Sequence, residues 1–176
     1  MPLNKGYLTA KTDIKSDEYF TPDNAVKKII NFIPKDYKTI WCPFDTAESP
    51  YVKILKEKGY EVFYSHINDD KNFFFYEPEE KYDCIISNPP FSLKDDVLKR
   101  LHELNKPYAI LLPLPSLQGQ KRFDYIKDCE VLVFDKRVNF FQDIERTIST
   151  KGVSFASIYV CKDFLPEKLI FEKLDN

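Results

Sequence analysis

The sequence predicts an α/β fold, a doubly wound sandwich whose sheet is mostly parallel and covered by helices on both faces. Three observations carry this. Short apolar runs alternate, between residues 21 and 134, with stretches whose apolar residues recur at helical spacing, the order from which parallel sheets are built. The run 38–42, a turn, a helical pattern ending at Gly59 and the run 60–65 make one strand–helix–strand unit. Such units place their ligand loops at the carboxyl ends of the strands. The apolar run 84–86 then stops at Asn88-Pro89-Pro90, where two rings without an N–H cannot continue a ladder and the chain must leave the sheet.

Residues 1–18 mix Lys, Asp and small polar residues without periodicity and are expected to form an N-terminal arm before one domain over 19–176. Thr21 suits an N-cap and Pro22 a first helical residue, with Ala25, Val26, Ile29, Ile30 and Ile33 following on one face and Pro34 closing the helix. That start is sufficient as a cap, and its N–H groups with the Thr21 hydroxyl also make a place for an anion. After the strand 38–42 come a turn over 43–50, a helix over 51–58 and the aromatic and β-branched strand 60–65. A helix over 94–104 turns Val97, Leu98, Leu101 and Leu104 to the core and Lys99 and Arg100 to solvent. The strand 107–112 ends at Pro113-Leu114-Pro115, a helix over 117–127 carries Lys121 and Arg122, and 131–134 is a further strand. The polar stretch 135–152, with Lys136, Arg137, Arg146 and Lys151, is long enough to be either functional or disordered. Alternation over 155–161 marks a half-exposed final strand, with a short edge strand near 169–171.

The Asn88 turn is stiff, because each proline fixes its own φ and pushes the residue before it to extended geometry. It holds an amide side chain, a proline carbonyl and an aromatic ring in fixed relation, a cradle for a planar group bearing an NH2. A plain Pro-Pro turn ending a core strand is the other account. With the strand in front of it, Asn88-Pro89-Pro90-Phe91 resembles the Asn/Asp-Pro-Pro-Tyr/Phe signature of the S-adenosylmethionine-dependent amino methyltransferases. Those enzymes methylate the N6 of adenine, the N4 of cytosine or the amide nitrogen of glutamine. The resemblance implies a Rossmann-like methyltransferase sandwich with S-adenosylmethionine as cofactor. It also implies catalytic roles for Asn88, Pro89, Pro90 and Phe91: the Asn88 and Pro89 oxygens accept the amine's N–H groups, and Phe91 stacks on the acceptor ring.

The resemblance extends over about residues 19–161. Tyr19 and Thr21, in Tyr19-Phe20-Thr21-Pro22, match the upstream Thr-Pro that lies by the methionine carboxylate of the cofactor. Pro43-Phe44 matches the start of the family's first loop, but no glycine stands between Gly6 and Gly59. Asp45 or Ser49 would then make contacts through side chains, Asp45 accepting from the amino group, and a structural Asx turn is the competing account of Asp45. The strand 60–65 continues Ser65-His66-Ile67-Asn68-Asp69-Asp70, so the acid that meets ribose hydroxyls in such folds is displaced; His66 or Asn68 as its substitute is one account, a surface or satisfied core His66 the other. Asn72-Phe73-Phe74-Phe75 resembles the family's Asp-Phe-Phe segment. Asn72 and Phe73 would flank the cofactor's adenine, although burial of the same rings in the core explains them equally well. Ser154-Phe155-Ala156-Ser157 resembles the last motif, in the antiparallel hairpin that closes the sheet.

Composition excludes little. The chain has 176 residues, 43% hydrophobic and 31% charged, an ordinary globular balance. Its 15 Phe and 11 Tyr fill cores or stack on bases. A net charge of −2 and a pI of about 5.8 give no bulk signature of a nucleic-acid binder. Cys42, Cys84, Cys129 and Cys161 are far apart without a Cys-x-x-Cys pair, so no metal site is expected. Neither a membrane span nor a signal peptide is visible, and the expectation is a reduced, cytoplasmic protein with no membrane partner. The activity implied by resemblance is methylation of adenine N6 in nucleic acid, DNA rather than RNA, on a flipped base. Methylation of a protein glutamine and a non-catalytic binding protein of the same fold are the alternatives. No separate target-recognition domain is visible, so either the loop 136–151 reads sequence, or a specificity partner does, or there is little specificity; a homodimer is the alternative partner.

Overall fold

A computed structural model describes residues 19–143, 145–146 and 155–175; the arm expected at 1–18 and Lys151 lie outside them. The described strands are β1 (Thr39–Cys42), β2 (Glu61–Tyr64), β3 (Cys84–Ser87), β4 (Tyr108–Pro113), β5 (Glu130–Phe134), β6 (Ser157–Lys162) and β7 (Leu169–Glu172). They form one sheet in the order β2-β1-β3-β4-β6-β5-β7. β6 runs antiparallel to both β4 and β5, and every other pairing is parallel. The antiparallel strand is thus inserted between two parallel ones, and β7 takes the edge. The predicted fold class holds.

The described helices are α1 (Asp23–Ile30), α2 (Pro50–Glu57), α3 (Lys94–Leu104) and the single turn α4 (Phe123–Ile126). α2 joins β1 to β2 in one direction along the sheet, and α3 joins β3 to β4 in the other. Right-handed crossovers running in opposite directions put the two helices on opposite faces. The strand order reverses between β1 and β3, and a crevice opens there beyond their carboxyl ends.

Local chemistry fixes that junction. β3 is buried at every position, as befits a strand covered on both faces. Just before it, the Asp83 carboxylate accepts from the N–H groups of Lys38 at 2.6 Å and Thr39 at 2.9 Å. Those bonds, which also hold its carboxyl below the usual range, register β3 against β1. Among the buried side chains, the hydroxyls of Tyr51 on α2 and Tyr159 on β6 meet at 2.7 Å, and Tyr159 also donates to the Ala25 carbonyl of α1 at 3.3 Å. Burial drives both phenols upward, so they act as neutral struts.

Two positions give stability predictions. Gly59, which follows α2, has a φ of 88°, and nothing lies within 4 Å of where a Cβ would stand. Gly59→Ala therefore meets backbone strain alone and is expected to cost about 1 kcal/mol in urea unfolding. The Glu130 carboxylate accepts from the N–H groups of Asp163, Phe164 and Leu165 at 3.0, 3.1 and 3.0 Å, fastening the turn after β6. Glu130→Ala strands those donors and is expected to cost about 2 kcal/mol by the same measurement.

The structure corrects some expectations. α1 begins at Asp23, with Pro22 rather than Thr21 at the cap position and no side-chain bond there. The Pro22 carbonyl instead accepts from the Ala25 and Val26 N–H groups at 3.2 and 3.3 Å. The helix expected over 117–127 is broken into 3-10 turns at Leu114–Leu117 and Gln120–Arg122 followed by α4. Gln118 is extended, and Arg122 folds back over Gly119 to donate to the Gln118 carbonyl and to Asp95 on α3, both at 2.6 Å. A Cβ at Gly119 would stand 2.3 Å from the Arg122 guanidinium, so the bare glycine makes that fold-back possible. In the segment after β5, Phe140 is fully buried, and Arg146 pairs with Asp23 of α1.

Candidate active site

A cleft of about 360 Å³ opens where β1 and β3 end, within the size range of pockets for small molecules. The loop after β1 brings Pro43, Phe44 and Asp45 to it, the segment after β2 brings His66, and the aromatic turn brings Asn72 and Phe73. The turn after β3 brings Asn88, Pro89 and Pro90, and the strap before α1 brings Tyr19 and Thr21. Phe91 lies apart from these, in the wall of a second cleft of about 390 Å³ with Lys94, Ser116, Arg122 and Phe155. Tyr19 lines both clefts. Its ring stacks on Phe91 at 5.8 Å and 21°, while Phe155 meets Phe91 edge-on at 5.4 Å.

The loop after β1 turns from strand to helix without a glycine. Its residues adopt no left-handed backbone, the described non-glycine examples being Asp70, Asn105, Arg146 and Asp163, so the turn needs no glycine for its own geometry. The Asp45 N–H donates to the Ser65 carbonyl at 3.1 Å, tying the loop to the end of β2. Its carboxylate, only 7% exposed, accepts from the hydroxyls of Ser49 and Ser87. Burial pushes that carboxyl up to about 6, while the two hydroxyl bonds and His66 pull it down. Asp45 is thus held by two serines rather than by a local Asx turn. Ser87 escaped the sequence reading; its one signal is a hydroxyl closing an otherwise apolar strand.

Two polar atoms of the cleft wall are buried without a hydrogen-bond partner: Thr21 Oγ1 and Asn88 Oδ1. Thr21 is near enough to the Tyr51 phenol to affect its ionisation, yet no bond of good geometry joins them. Buried polar atoms without partners are costly in a protein at rest, and two in one cleft point to a ligand that supplies what they lack. The Asn88 amide donates from Nδ2 to the Tyr19 main-chain carbonyl at 2.7 Å, which leaves Oδ1 as its unpartnered end.

The residues expected to hold adenine and ribose also line the cleft. Asn72 Oδ1 accepts from the Phe74 N–H at 3.1 Å, and the Asn72 carbonyl accepts from Phe75 and Tyr76 at 2.9 and 2.8 Å. Asn72 therefore builds the aromatic turn while lining the cleft. Phe73 packs between Trp41 and Phe44 at ring separations of 5.6 and 4.9 Å, so core burial and cleft lining coincide in one ring. His66 Nδ1 accepts from the Asn68 N–H at 3.2 Å, which orients the imidazole within the wall. Among the described residues no group of His, Cys, Asp or Glu could hold a metal ion, and no helix is long and apolar enough to cross a membrane.

No protein-family model and no curated protein matches the sequence. Solved structures resemble the fold. A candidate class I S-adenosylmethionine-dependent methyltransferase from Listeria monocytogenes aligns with a TM-score of 0.50 at 10% identity, over 89% of this chain and 66% of that one. The methyltransferase subunit of a type I restriction-modification system from Streptococcus thermophilus gives a TM-score of 0.47 at 13% identity, over 89% and 47%. A release-factor-specific protein-(glutamine-N5) methyltransferase from Alicyclobacillus acidocaldarius gives 0.38 at 12%, over 80% and 93%. The chain spans about half the length of the Streptococcus subunit and about two thirds of the Listeria protein. The likeness is one of fold: the sheet is arranged as in the Listeria structure.

Proposed function

We propose that this chain transfers the methyl group of S-adenosylmethionine to the exocyclic N6 of adenine in nucleic acid, DNA rather than RNA. The observation that carries the reading is the buried, unpartnered Asn88 Oδ1 beside Pro89, in the wall of the cleft that also contains the Asp45 carboxylate and the Thr21 hydroxyl. The cleft suits the cofactor's parts. Asp45 offers a carboxylate to the methionine ammonium, Thr21 a hydroxyl to its carboxylate, and Phe44, Asn72 and Phe73 an aromatic and amide wall to its adenine.

S-adenosylmethionine, when bound, supplies an electrophilic sulfonium methyl. The chain's own part is orientation. An exocyclic amine is a weak nucleophile because its lone pair is delocalised into the ring. Asn88 Oδ1 and the Pro89 carbonyl accept one N–H each, draw the nitrogen toward tetrahedral geometry and stabilise the positive charge that grows on it. No strong base is required, since the proton of the product cation is lost readily to water. The aromatic walls of the second cleft, Tyr19, Phe91 and Phe155, together with Lys94, suit a stacked ring and a neighbouring phosphate better than a flexible amide side chain. The choice of adenine and of DNA rests on the resemblance of the Asn88 turn to enzymes with that substrate.

The test has two stages. Calorimetric titration with S-adenosylmethionine and S-adenosylhomocysteine is expected to show micromolar binding, on the order of −8 kcal/mol. Labelled-methyl transfer is then measured on adenine-containing DNA, RNA and a protein fraction. Label appearing in DNA and released as N6-methyladenine supports the reading. Label confined to protein overturns the acceptor, and a folded protein that binds neither ligand overturns the enzyme.

A further inference from the structure

We propose that Tyr19 is the positioning residue for Asn88: its main-chain carbonyl sets which end of the amide faces the acceptor, so that this chain requires an amide, not a carboxylate, at position 88. The inference rests on the reading of Asn88 as the residue that holds the acceptor nitrogen. A primary amide has two ends of opposite character, and only the NH2 end can face a carbonyl oxygen at 2.7 Å. Turning the Asn88 amide over would set two acceptors against each other and lose the bond. Oδ1 is thereby the end left without a partner in the cleft wall, ready for an N–H donor.

The Tyr19 carbonyl is itself held in place from several sides. Its ring is stacked on Phe91 at 5.8 Å, tilted against Phe140 at 5.6 Å and edge-on to Phe155 at 5.9 Å. The next residue, Phe20, exchanges both backbone hydrogen bonds with Phe141 at 2.9 Å. The strap is therefore tied to the Asn88 turn and to the segment after β5, and Tyr19 walls both clefts at once. A carboxylate at position 88 would present only acceptors to the Tyr19 carbonyl. It would have to take up a proton, or swing away from the orientation that serves the acceptor. The aspartate alternative of the Asn/Asp-Pro-Pro signature is closed to this chain by its own strap.

The experiment compares wild type with Tyr19→Ala, Tyr19→Phe, Asn88→Asp and Asn88→Ala. The Asn88 side-chain NH2 signals in a 15N-labelled sample are identified by their loss in Asn88→Ala, and their exchange with solvent is timed. Exchange is expected to quicken roughly tenfold in Tyr19→Ala, the loss of about one hydrogen bond, and to return most of the way in Tyr19→Phe. At saturating cofactor, kcat for Tyr19→Ala is expected to fall roughly tenfold and to recover in Tyr19→Phe. Asn88→Asp is expected to be nearly inactive at pH 8 and to gain activity as the pH is lowered and its carboxyl takes up a proton. Equal exchange in wild type and Tyr19→Ala, or wild-type kcat for Asn88→Asp at pH 8, overturns the inference. An active Asn88→Ala would instead sink Asn88 as the transfer residue while leaving the exchange result as it stands, so the two failures are told apart.

Discussion

Replacing Asn88 with alanine is expected to lower methyl transfer by roughly 10²–10³-fold at saturating cofactor, the range found when one preorganised hydrogen-bonding group is removed from developing charge. Cofactor affinity should stay within about threefold of wild type, less than 1 kcal/mol, because the proposed mechanism sets Asn88 against the acceptor rather than the cofactor. The fold should be almost indifferent. Alanine forfeits the bond from Nδ2 to the Tyr19 carbonyl, worth about 1 kcal/mol. It also removes Oδ1, an acceptor buried without a partner, so the two changes oppose each other. Single-turnover transfer of labelled methyl, with calorimetry and a thermal melt on the same samples, separates these terms. A variant that melts like wild type, binds cofactor like wild type and still transfers within tenfold of it would end the proposed role. A variant that melts much lower would show that the amide is a structural pin, and the Asn88→Asp pH profile would then carry the test of chemistry.

The parts of this molecule that were legible in the sequence are those encoded locally. The run Cys84–Ser87 followed by two prolines can only be a strand that stops, and Gly59 at a left-handed position marks the end of α2. Strand–helix order then gave the sheet and the crevice. What escaped was set by residues far apart. Asp45 and Ser87 are 42 positions apart, and Tyr19 and Asn88 are 69 apart; neither pair leaves a local pattern. Thr21 has the composition of a cap, but the strap's pairing of Phe20 with Phe141 accompanies a helix start at Asp23 and a Thr21 hydroxyl in the cleft. The broken helix after β4 had acceptable spacing, and what overrides it is the tertiary grip of Asp95 on Arg122. The glycine-free loop has a related account: the buried carboxylate of Asp45 is held there by the hydroxyls of Ser49, four residues on, and of Ser87, 42 residues on.

Asp45 gives the second large prediction, because one carboxylate is asked to be charged for binding and neutral for stability. Burial raises its carboxyl from the ordinary 3.8 to about 6, so the folded protein holds this proton more tightly than the unfolded chain does. The corresponding stability is fully present below about pH 4 and is lost as pH rises through about 6, a change of about 3 kcal/mol. A ligand ammonium reverses the preference by favouring the ionised form. Cofactor affinity is therefore expected to be level between about pH 7 and 8, where the ligand ammonium keeps its proton, and to fall by up to about tenfold for each pH unit below 6. Binding near pH 6 should also release protons, visible as a buffer-dependent heat in calorimetry. Asp45→Asn should weaken cofactor binding at pH 7.5 by roughly 10- to 100-fold, the worth of a charge-assisted bond. The same substitution should raise the melting temperature of the ligand-free protein at that pH, since an amide can satisfy Ser49 and Ser87 without a buried charge. The opposite signs are what make the experiment decisive. A merely structural carboxylate would change stability and leave the affinity and its pH profile alone, whereas a merely exposed one would change neither. A residue that costs the resting fold and strengthens the complex is what a binding site is expected to retain.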